Sequence, residues 1–175
     1  MPRFWPISER VGNAARIRPA GAADARDIAG LVSTLVRGGD TSAIAGPVAR
    51  ADIIEWMDFA PERSAWHVAE TDSGDILGVQ WIEPHHDLPP DTADIATLVV
   101  QGRQRIGIGS SLFAQSLRAG RRLGYRWLHA YIRADNEGGL IYYRSRGFEP
   151  WRSDPEVPLA DGRRIDRVAM RYDLR

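Results

Sequence analysis

The chain has 175 residues, of which 43% are hydrophobic and 26% are charged, as in one globular domain with its own core. Because 23 basic residues balance 23 acidic ones, the net charge gives no reason to expect nucleic acid or an anionic membrane as a partner. Every basic residue is arginine and cysteine is absent, which excludes lysine Schiff bases, Walker-type phosphate lysines, disulfides and thiolate sites.

The first residues of the chain are interpreted as a short extension, residues 1–14, and residues 15–175 as a single domain. Charged residues such as Arg3 and Glu9 interrupt the extension, so it lacks the apolar run of a signal peptide. No window approaches the roughly 18 apolar residues of a membrane-spanning helix. We therefore expect a soluble, cytoplasmic protein.

Hydrophobic periodicity in the first hundred residues predicts four strands and two helices. The strands span 16–19, 65–70, 76–82 and 93–100, and the helices span 21–37 and 47–59. A tight turn at 72–75 joins the second and third strands as an antiparallel hairpin. The polar loop that follows this hairpin separates it from the fourth strand.

The second half of the chain alternates helices and strands. Helices are predicted over 107–124 and 136–146, and strands over 125–132, from Phe148 onward and over 164–172. The apolar face of the longer helix is broad enough for a helix that is mostly buried. The whole order predicts one α/β domain without a repeat or a linker.

The segment between Val100 and Ser110 is a glycine-bearing turn that leads from a strand into the longer helix. The first turn of a helix has unpaired N–H groups and a positive dipole end, and glycine lets the backbone approach a phosphate closely. The turn is therefore a candidate diphosphate site. A glycine pair here also serves close packing of the helix on the strand, and both interpretations stay open. Walker and Rossmann motifs do not fit, because lysine is absent and the glycines do not follow the first strand.

The residues of this turn resemble a known motif. Gln104, Gly107 and Gly109 after a valine-rich strand are similar to the acyl-CoA signature of the GNAT N-acetyltransferase superfamily. Two residues depart from the pattern, since Gln101 stands where proline is common and Arg105 replaces the usual glycine. Arg105 adds positive charge where the pyrophosphate would lie.

A second motif supports the same resemblance. Asn136, Gly139, Tyr143 and the closing pair Gly147 and Phe148 resemble the next motif of the superfamily, in the usual order and separation from the first. Gly139 replaces the usual alanine or serine and weakens the helix by up to about 1 kcal/mol. By itself, Asn136 is also the natural N-cap of the helix that it precedes.

The resemblance implies a fold and a cosubstrate. The fold is of the α/β (α+β) class, a mixed, mostly antiparallel twisted sheet of six to seven strands with helices on both faces. Its fourth and fifth strands, here 93–100 and 126–132, splay apart, and the pantetheine of acetyl-CoA lies between them as a pseudo-strand. An N–H near Val99 then polarises the thioester carbonyl.

The resemblance also implies which residues hold acetyl-CoA, through strand backbone groups for pantetheine and helix amides for the pyrophosphate. These residues are Leu98, Val99, Val100, Gln104, Arg105, Ile106, Gly107, Ile108, Gly109, Ser110, Asn136 and Tyr143.

Two residues are predicted to be catalytic. An alkylammonium of pKa about 10 is roughly three units from its nucleophilic form at neutral pH, so a base is useful, and Asp94 is our candidate. A solubilising strand-edge charge is an equal interpretation of Asp94. Tyr143 matches the general-acid tyrosine of the family, whereas its alternative is a core tyrosine with a satisfied hydroxyl. Tyr142 competes for this role but points about 100° away on the same helix.

Other polar and aromatic residues give weaker signals. His85, His86 and Asp87 are interpreted as a polar loop rather than a metal site, because adjacent side chains diverge and no further ligand is evident. We assign no metal. Trp81, on a strand that leads to this loop, is a candidate lining residue of an acceptor pocket.

The sequence thus predicts an N-acetyltransferase that moves an acetyl group from acetyl-CoA to a primary amine of a small molecule, such as an amino acid, polyamine or xenobiotic, in a ternary complex. The alternatives are acetylation of a protein amine and a non-catalytic module of the same fold that binds acyl-CoA or a protein. Homodimers are frequent in the family, which favours one here. Nucleic acid and membrane are not expected as partners.

Overall fold

A computed structural model describes residues 15–37, 46–100, 102, 107–159 and 162–175, together with the backbone of 9–11. Eight strands are present in this part of the chain: β1 (Glu9–Val11), β2 (Ala15–Pro19), β3 (Ala65–Glu70), β4 (Ile76–Pro84), β5 (Thr92–Val99), β6 (Trp127–Arg133), β7 (Glu149–Pro158) and β8 (Arg164–Asp173). Four α-helices accompany them: α1 (Ala25–Arg37), which follows a 3₁₀ turn (Ala22–Asp24), α2 (Arg50–Asp58), α3 (Ile108–Arg122) and α4 (Glu137–Ser145).

The strands form one mixed sheet in the order β1-β2-β3-β4-β5-β6-β8-β7. Every neighbouring pair is antiparallel except β5 and β6, which are parallel. The predicted fold class is confirmed, and the sheet has one strand more than the six to seven predicted. The added strand is β1, which lies in the predicted N-terminal extension and pairs with β2 from Glu9 to Val11.

Helices cover both faces of the sheet, as predicted. On one face, apolar residues of α1 and α2 such as Ile28 and Ile53 pack on Trp66 and Trp81 of β3 and β4. On the other face, α3 and α4 close a second core around Phe113. Side chains alternate between the two faces along each strand, so one strand serves both cores.

The parallel pair β5 and β6 is in register only at its start. The paired positions are Thr92 with Trp127, Ala93 with Leu128 and Asp94 with His129. Both strands continue beyond this point, β5 to Val99 and β6 to Arg133, without further pairing to one another. The predicted splay is confirmed, and it leaves a gap in the sheet after Asp94.

Candidate active site

A cleft of about 1930 Å³ occupies the gap between the parted strands. Its walls are the exposed edge of β5, the end of β6, and the N-terminal turns of α3 and α4. Residues of α2 and of the β4 end close it on the other side. Several predicted site residues line it, namely Asp94, Leu98, Val99, Gly107, Gly109, Ser110, Asn136 and Tyr143.

The first turn of α3 supplies main-chain donors to one end of the cleft. Gly107 is the N-cap and has φ +87°, which is the left-handed region that favours glycine. Its carbonyl oxygen accepts the N–H of Ser111 at 3.0 Å, which is the first hydrogen bond of the helix. The N–H groups of residues 108–110 therefore have no acceptor within the helix. The Ile108 side chain is fully buried in the core, which leaves only its backbone for the predicted contact with the cofactor. The predicted contacts of Gln104, Arg105 and Ile106 lie outside the described residues.

Gly109 is required for packing between helices. A Cβ atom built on it would lie 2.8 Å from Cε2 of Tyr142, a distance that real side chains do not tolerate. The Tyr142 hydroxyl donates to the Gly109 carbonyl oxygen at 2.8 Å and fixes this contact. Gly109 therefore serves packing of α3 on α4 rather than the expected packing of a helix on a strand, and its absent side chain accommodates a tyrosine ring.

Arg146 is a site residue that the sequence analysis missed. Its guanidinium donates to the Ser110 hydroxyl, and it also lies 5.8 Å from the centre of the Tyr142 ring. This places a positive charge beside the N-terminus of α3, where the helix dipole already favours an anion. The residue stands 36 positions from Ser110, so only the tertiary structure shows the contact.

The backbone of β5 offers fewer cofactor contacts than expected. The Val100 N–H donates to the Leu77 carbonyl oxygen at 2.9 Å, and Val100 lies outside the cleft. The Val100 N–H is thus paired within the sheet, and a contact of Val100 with pantetheine stays a prediction. Because backbone groups alternate in direction along a strand, Leu98 also points its backbone to β4, whereas Val99 points its N–H to the gap. Val99 thus keeps the orientation expected of it.

The Tyr143 hydroxyl lies on the wall of the gap that α4 forms. It is 2.9 Å from Thr97 Oγ1 and 3.4 Å from the Ile95 carbonyl oxygen, past the point where β5 and β6 separate. Burial raises the pKa of this hydroxyl well above its ordinary value of 10.0, and the neighbouring Tyr142 adds to the rise. The phenol therefore keeps its proton at neutral pH.

A buried polar network holds the two tyrosines in place. Gln80, fully buried on β4, donates through Nε2 to Thr97 Oγ1 at 2.7 Å and to the Tyr142 hydroxyl at 3.2 Å. Its Oε1 accepts a hydrogen bond from Ser116 of α3 at 2.6 Å. The Thr97 hydroxyl lies 2.9 Å from the Tyr143 hydroxyl, and either of the two can be the donor. The Tyr143 hydroxyl also donates to the Ile95 carbonyl oxygen at 3.4 Å, a long contact that a ligand in the gap would have to replace.

Asn136 caps α4, as its position predicts. Its Oδ1 accepts the N–H of Gly139 at 2.9 Å. A Cβ on Gly139 would lie 2.8 Å from Nδ2 of Asn136, so the glycine makes room for the capping amide. The departure of Gly139 from the usual motif thus has a steric reason in this chain.

Asp94 marks the other end of the cleft. Its Oδ1 lies 2.8 Å from Nδ1 of His129, whose side chain is only 7% exposed. The His129 Nε2 atom is buried without a hydrogen-bond partner among the described residues. Asp94 is therefore not a free strand-edge charge but half of a carboxylate and imidazole pair.

Glu83 is a second carboxylate at this end, which the sequence analysis missed. It is the direct cross-strand partner of Asp94, so the two side chains share one face of the sheet. Burial raises the pKa of the Glu83 carboxyl above its ordinary value of 4.5, and the nearby Asp94 carboxylate adds to the rise. The Trp81 indole N–H, which donates to Glu83 Oε1 at 3.0 Å, opposes it. A glutamate in this position is better matched to general-base work near neutral pH than an ordinary one.

Tryptophan rings form the wall beside these carboxylates. Trp81 lines the cleft, as expected, and its ring stacks on Trp66 with centroids 4.4 Å apart. Trp56 of α2 also lines the cleft and lies 6.4 Å from Trp81. At the rim, the expectation that the side chains of His85, His86 and Asp87 diverge is wrong, because their ligand atoms lie within 4.8 Å of one another and the two imidazole rings stack. All three residues are exposed.

Comparison with known proteins decides the family. The model of a family described as "Acetyltransferase (GNAT) family" matches residues 39–148, more than half of the chain. The chain belongs to the GNAT acetyltransferases. It is accordingly an acyltransferase, and the resemblance of its two motifs to this superfamily is confirmed.

Individual relatives agree with this assignment. The GNAT chain is 28% identical over 130 residues to the "Putative phosphinothricin acetyltransferase YwnH" of Bacillus subtilis (strain 168), which covers 73% of this chain and 80% of that protein. Among solved structures it is similar to yncA of Salmonella typhimurium, which was solved with acetyl-CoA, at a TM-score of 0.81 and 24% identity, covering 93% of this chain and 95% of the other. It is also similar to the phosphinothricin acetyltransferase of Sinorhizobium meliloti, which was solved with AcCoA. The TM-score is 0.81 at 20% identity, and the match covers 91% of this chain and 88% of the other. These two structures establish the shared fold.

Among the described residues of the chain, no helix is both long and apolar enough to span a membrane.

Proposed function

We propose that this GNAT protein transfers an acetyl group from acetyl-CoA to a primary amine of a small molecule, by direct attack of the amine in a ternary complex. The observation that carries the proposal is the separation of β5 and β6 after Asp94 and His129. The Asp94 carboxylate lies at one side of this gap and the Tyr143 phenol at the other. Relatives whose names or titles refer to acetyl-CoA and to acetyl transfer support the choice of acyl donor.

The α3 end of the cleft suits the diphosphate of acetyl-CoA. The main-chain donors of residues 108–110, the helix dipole and the Arg146 guanidinium together form a positive, donor-rich site. From Val99 back to Asp94 the strand rises by about 3.3 Å per residue, so some 16 Å separates the two ends. An extended pantetheine arm fits such a span and would reach the gap with its thioester.

Tyr143 is suited to assist the departure of the coenzyme A thiolate. A thiol has an ordinary pKa near 8.5, so complete proton transfer from a phenol whose pKa is raised above 10 is uphill. A hydrogen bond from the phenol to the developing thiolate does not carry this cost. We therefore propose that Tyr143 stabilises the leaving group as a hydrogen-bond donor, while the thiolate takes its final proton from water.

Two carboxylates compete for the role of base. Asp94 and Glu83 face the side of the sheet that α1 and α2 cover, whereas Tyr143 reaches the gap from the α4 side. An amine entering from the α2 side would meet a carboxylate before it meets the thioester. Its ammonium proton passes to Asp94 or Glu83, directly or through water, and the free amine attacks the carbonyl carbon. No covalent enzyme intermediate is proposed.

The direct test is acetyl-CoA turnover by the purified full chain with a panel of small amines, following the release of free thiol. Calorimetric titration with acetyl-CoA measures binding separately. We expect binding together with amine-dependent thiol release. Binding without release on any amine would favour the non-catalytic acyl-CoA module, and absence of binding would refute the cofactor assignment.

A peptide with a free N-terminus belongs in the same panel. A turnover confined to this peptide would favour acetylation of a protein amine over a small-molecule acceptor.

A further inference from the structure

Carboxylates outnumber guanidinium groups among the described residues that line the cleft. Four carboxylates lie at the Asp94 end or on α2, namely Glu55, Asp58, Glu83 and Asp94, and Asp135 and Glu137 lie at the start of α4. The guanidinium groups among the described lining residues belong to Arg133, Arg146 and Arg167. The excess of carboxylates bears on which amine the site accepts, and the inference from it rests on the proposed function.

The arginines belong to the other half of the cleft, and each has a partner. Arg133 is at the far end of β6, four residues beyond His129, and donates to both oxygens of Asp135 at 2.8 and 2.6 Å. Arg167 is the register partner of Arg133 and lies 5.0 Å from the ring of Tyr131. Arg146 lies at the first turn of α3, where the phosphates of acetyl-CoA would be, and Arg133 and Arg167 are paired on β6 and β8 beyond His129.

At the Asp94 end, the described residues that line the cleft carry carboxylates and imidazoles. Arg171, the register partner of His129, is not among these lining residues and lies 4.8 Å from the centre of the Trp127 ring. Glu83 and Asp94 are cross-strand neighbours. The exposed imidazoles at the rim, His85 and His86, have the Asp87 carboxylate 3.9 and 3.2 Å away. A carboxylate or phosphinate on the acceptor would therefore enter among like charges, which disfavours its binding.

An aromatic wall stands next to these carboxylates. The Trp81 and Trp66 rings are parallel within 3°, and Trp56 lies over Trp81 at an interplanar angle of 28°. Phe59 at the end of α2 lines the same cleft with 68% of its surface exposed. Flat apolar groups bind well against such a wall, because aromatic rings stack and bury a large area.

We propose that the acceptor is an arylalkylamine: a primary ammonium on a flat aromatic body, with no carboxylate, phosphinate or other anionic group beside the amine. The carboxylates Glu83 and Asp94 receive the ammonium, and Trp56 and Phe59 contact the aromatic body. This class differs from phosphinothricin, the compound in the names of several relatives, which carries two acidic groups.

Matched pairs of acceptors test the proposal. Thiol release is measured with tryptamine against tryptophan and with phenethylamine against phenylalanine, and phosphinothricin is included. The members of each pair differ only in the carboxylate. We expect kcat/KM to be at least about tenfold higher for the amine of each pair, and phosphinothricin to be a poor substrate.

The outcomes separate this inference from the proposed function. Equal or higher kcat/KM for the amino acids or for phosphinothricin would overturn the acceptor class while leaving small-amine acetylation intact. Turnover of a peptide N-terminus without turnover of either arylalkylamine would overturn it as well. Loss of acetyl-CoA binding in calorimetry would instead count against the proposed function itself.

A pair of tryptophan variants tests the aromatic wall. W56L removes the half-buried ring that lines the cleft and should raise KM for tryptamine about tenfold, with little change in KM for n-butylamine. W127L is the matched control, since Trp127 lies outside the cleft between the guanidinium groups of Arg126 and Arg171. An equal KM for tryptamine in W56L and the wild type would contradict the contact.

Discussion

The Oδ1 atom of Asp94 lies 2.8 Å from Nδ1 of His129, at the last position where β5 and β6 are paired. Beyond this pair the strands separate, so the carboxylate stands at the entrance of the gap. The imidazole orients Asp94 from one side, and Glu83 faces it from the neighbouring strand. We therefore propose one of these two adjacent carboxylates as the base of the reaction.

Substitution of each carboxylate by its amide distinguishes the two. One of the two variants, D94N or E83Q, removes the base. That variant should lower kcat by about 10² to 10⁴ while the Kd for acetyl-CoA stays unchanged. D91N is the control, because Asp91 is exposed just before β5 and lies outside the cleft. Steady-state kinetics and calorimetry give the two readouts. Wild-type kcat in both variants would remove these carboxylates from the mechanism.

The raised pKa of Glu83 predicts a pH dependence if this residue is the base. A base must be deprotonated, so kcat/KM should fall as the pH is lowered through the pKa of Glu83, at a pH above the ordinary value of 4.5. The acidic limb of the pH profile should be lost or displaced in E83Q. An acidic limb that is the same in E83Q and the wild type would assign it to another group.

The neighbouring tyrosines Tyr143 and Tyr142 form a natural pair for testing the leaving-group role. Y143F removes the hydroxyl that lies 2.9 Å from Thr97 Oγ1 and donates to the Ile95 carbonyl oxygen beside the gap, and it should lower kcat about 10- to 100-fold without changing the Kd for acetyl-CoA. Y142F loses the hydrogen bond to the Gly109 carbonyl oxygen and should affect stability more than kcat. Retention of both turnover and cofactor affinity in Y143F would exclude Tyr143 from the mechanism.

The contact of Gly109 with Tyr142 makes a single substitution at this glycine ambiguous. G109A should destabilise the fold by about 1 to 3 kcal/mol, because its Cβ would overlap the Tyr142 ring. The double variant G109A/Y142L removes the overlap and should recover stability in thermal unfolding. If Gly109 also admits the diphosphate, acetyl-CoA affinity stays reduced in the double variant. Full recovery of affinity would restrict Gly109 to packing.

Arg146 should contribute to cofactor binding through its charge. R146Q is expected to weaken acetyl-CoA binding about tenfold, because a charge-assisted hydrogen bond contributes about 1.5 to 3 kcal/mol. The affinity of the wild type should fall with added salt more steeply than that of R146Q. R144Q, an exposed arginine on the same helix, is the control. Equal affinities in all three proteins would place the pyrophosphate elsewhere.

The buried His67 predicts how stability depends on pH. Burial, with a smaller effect of Arg122, lowers its pKa from 6.5 to about 4. Between these values the unfolded chain binds a proton that the folded chain does not, so the free energy of unfolding falls on acidification from pH 6.5 to 4, by on the order of 2 kcal/mol from this group. H67F should flatten the profile in this window, whereas H86F, at an exposed imidazole, should leave it unchanged. Parallel profiles for H67F and the wild type would show that His67 does not titrate this way.

The element order and both motifs were readable from the sequence alone. The strand at 65–70 was predicted with the bounds that it has in the structure, and α3 and α4 were placed within two residues of theirs. The Asn136 cap was also predicted correctly. These features are local, because hydrophobic period, capping residues and glycine turns act over a few neighbouring positions.

The tertiary structure decided everything that depends on distant pairs. Asp94 and His129 are 35 positions apart in the sequence, and Ser110 and Arg146 are 36 positions apart. No local sequence pattern predicts either contact. Glu83 was missed because its importance comes from burial and from the cross-strand position of Asp94. The packing role of Gly109 likewise required α3 and α4 to be brought together. Side chains acquire shifted pKa values and steric limits only when the chain folds around them, and for that reason the sequence determined the family and the scaffold, while the fold decided how the site is built.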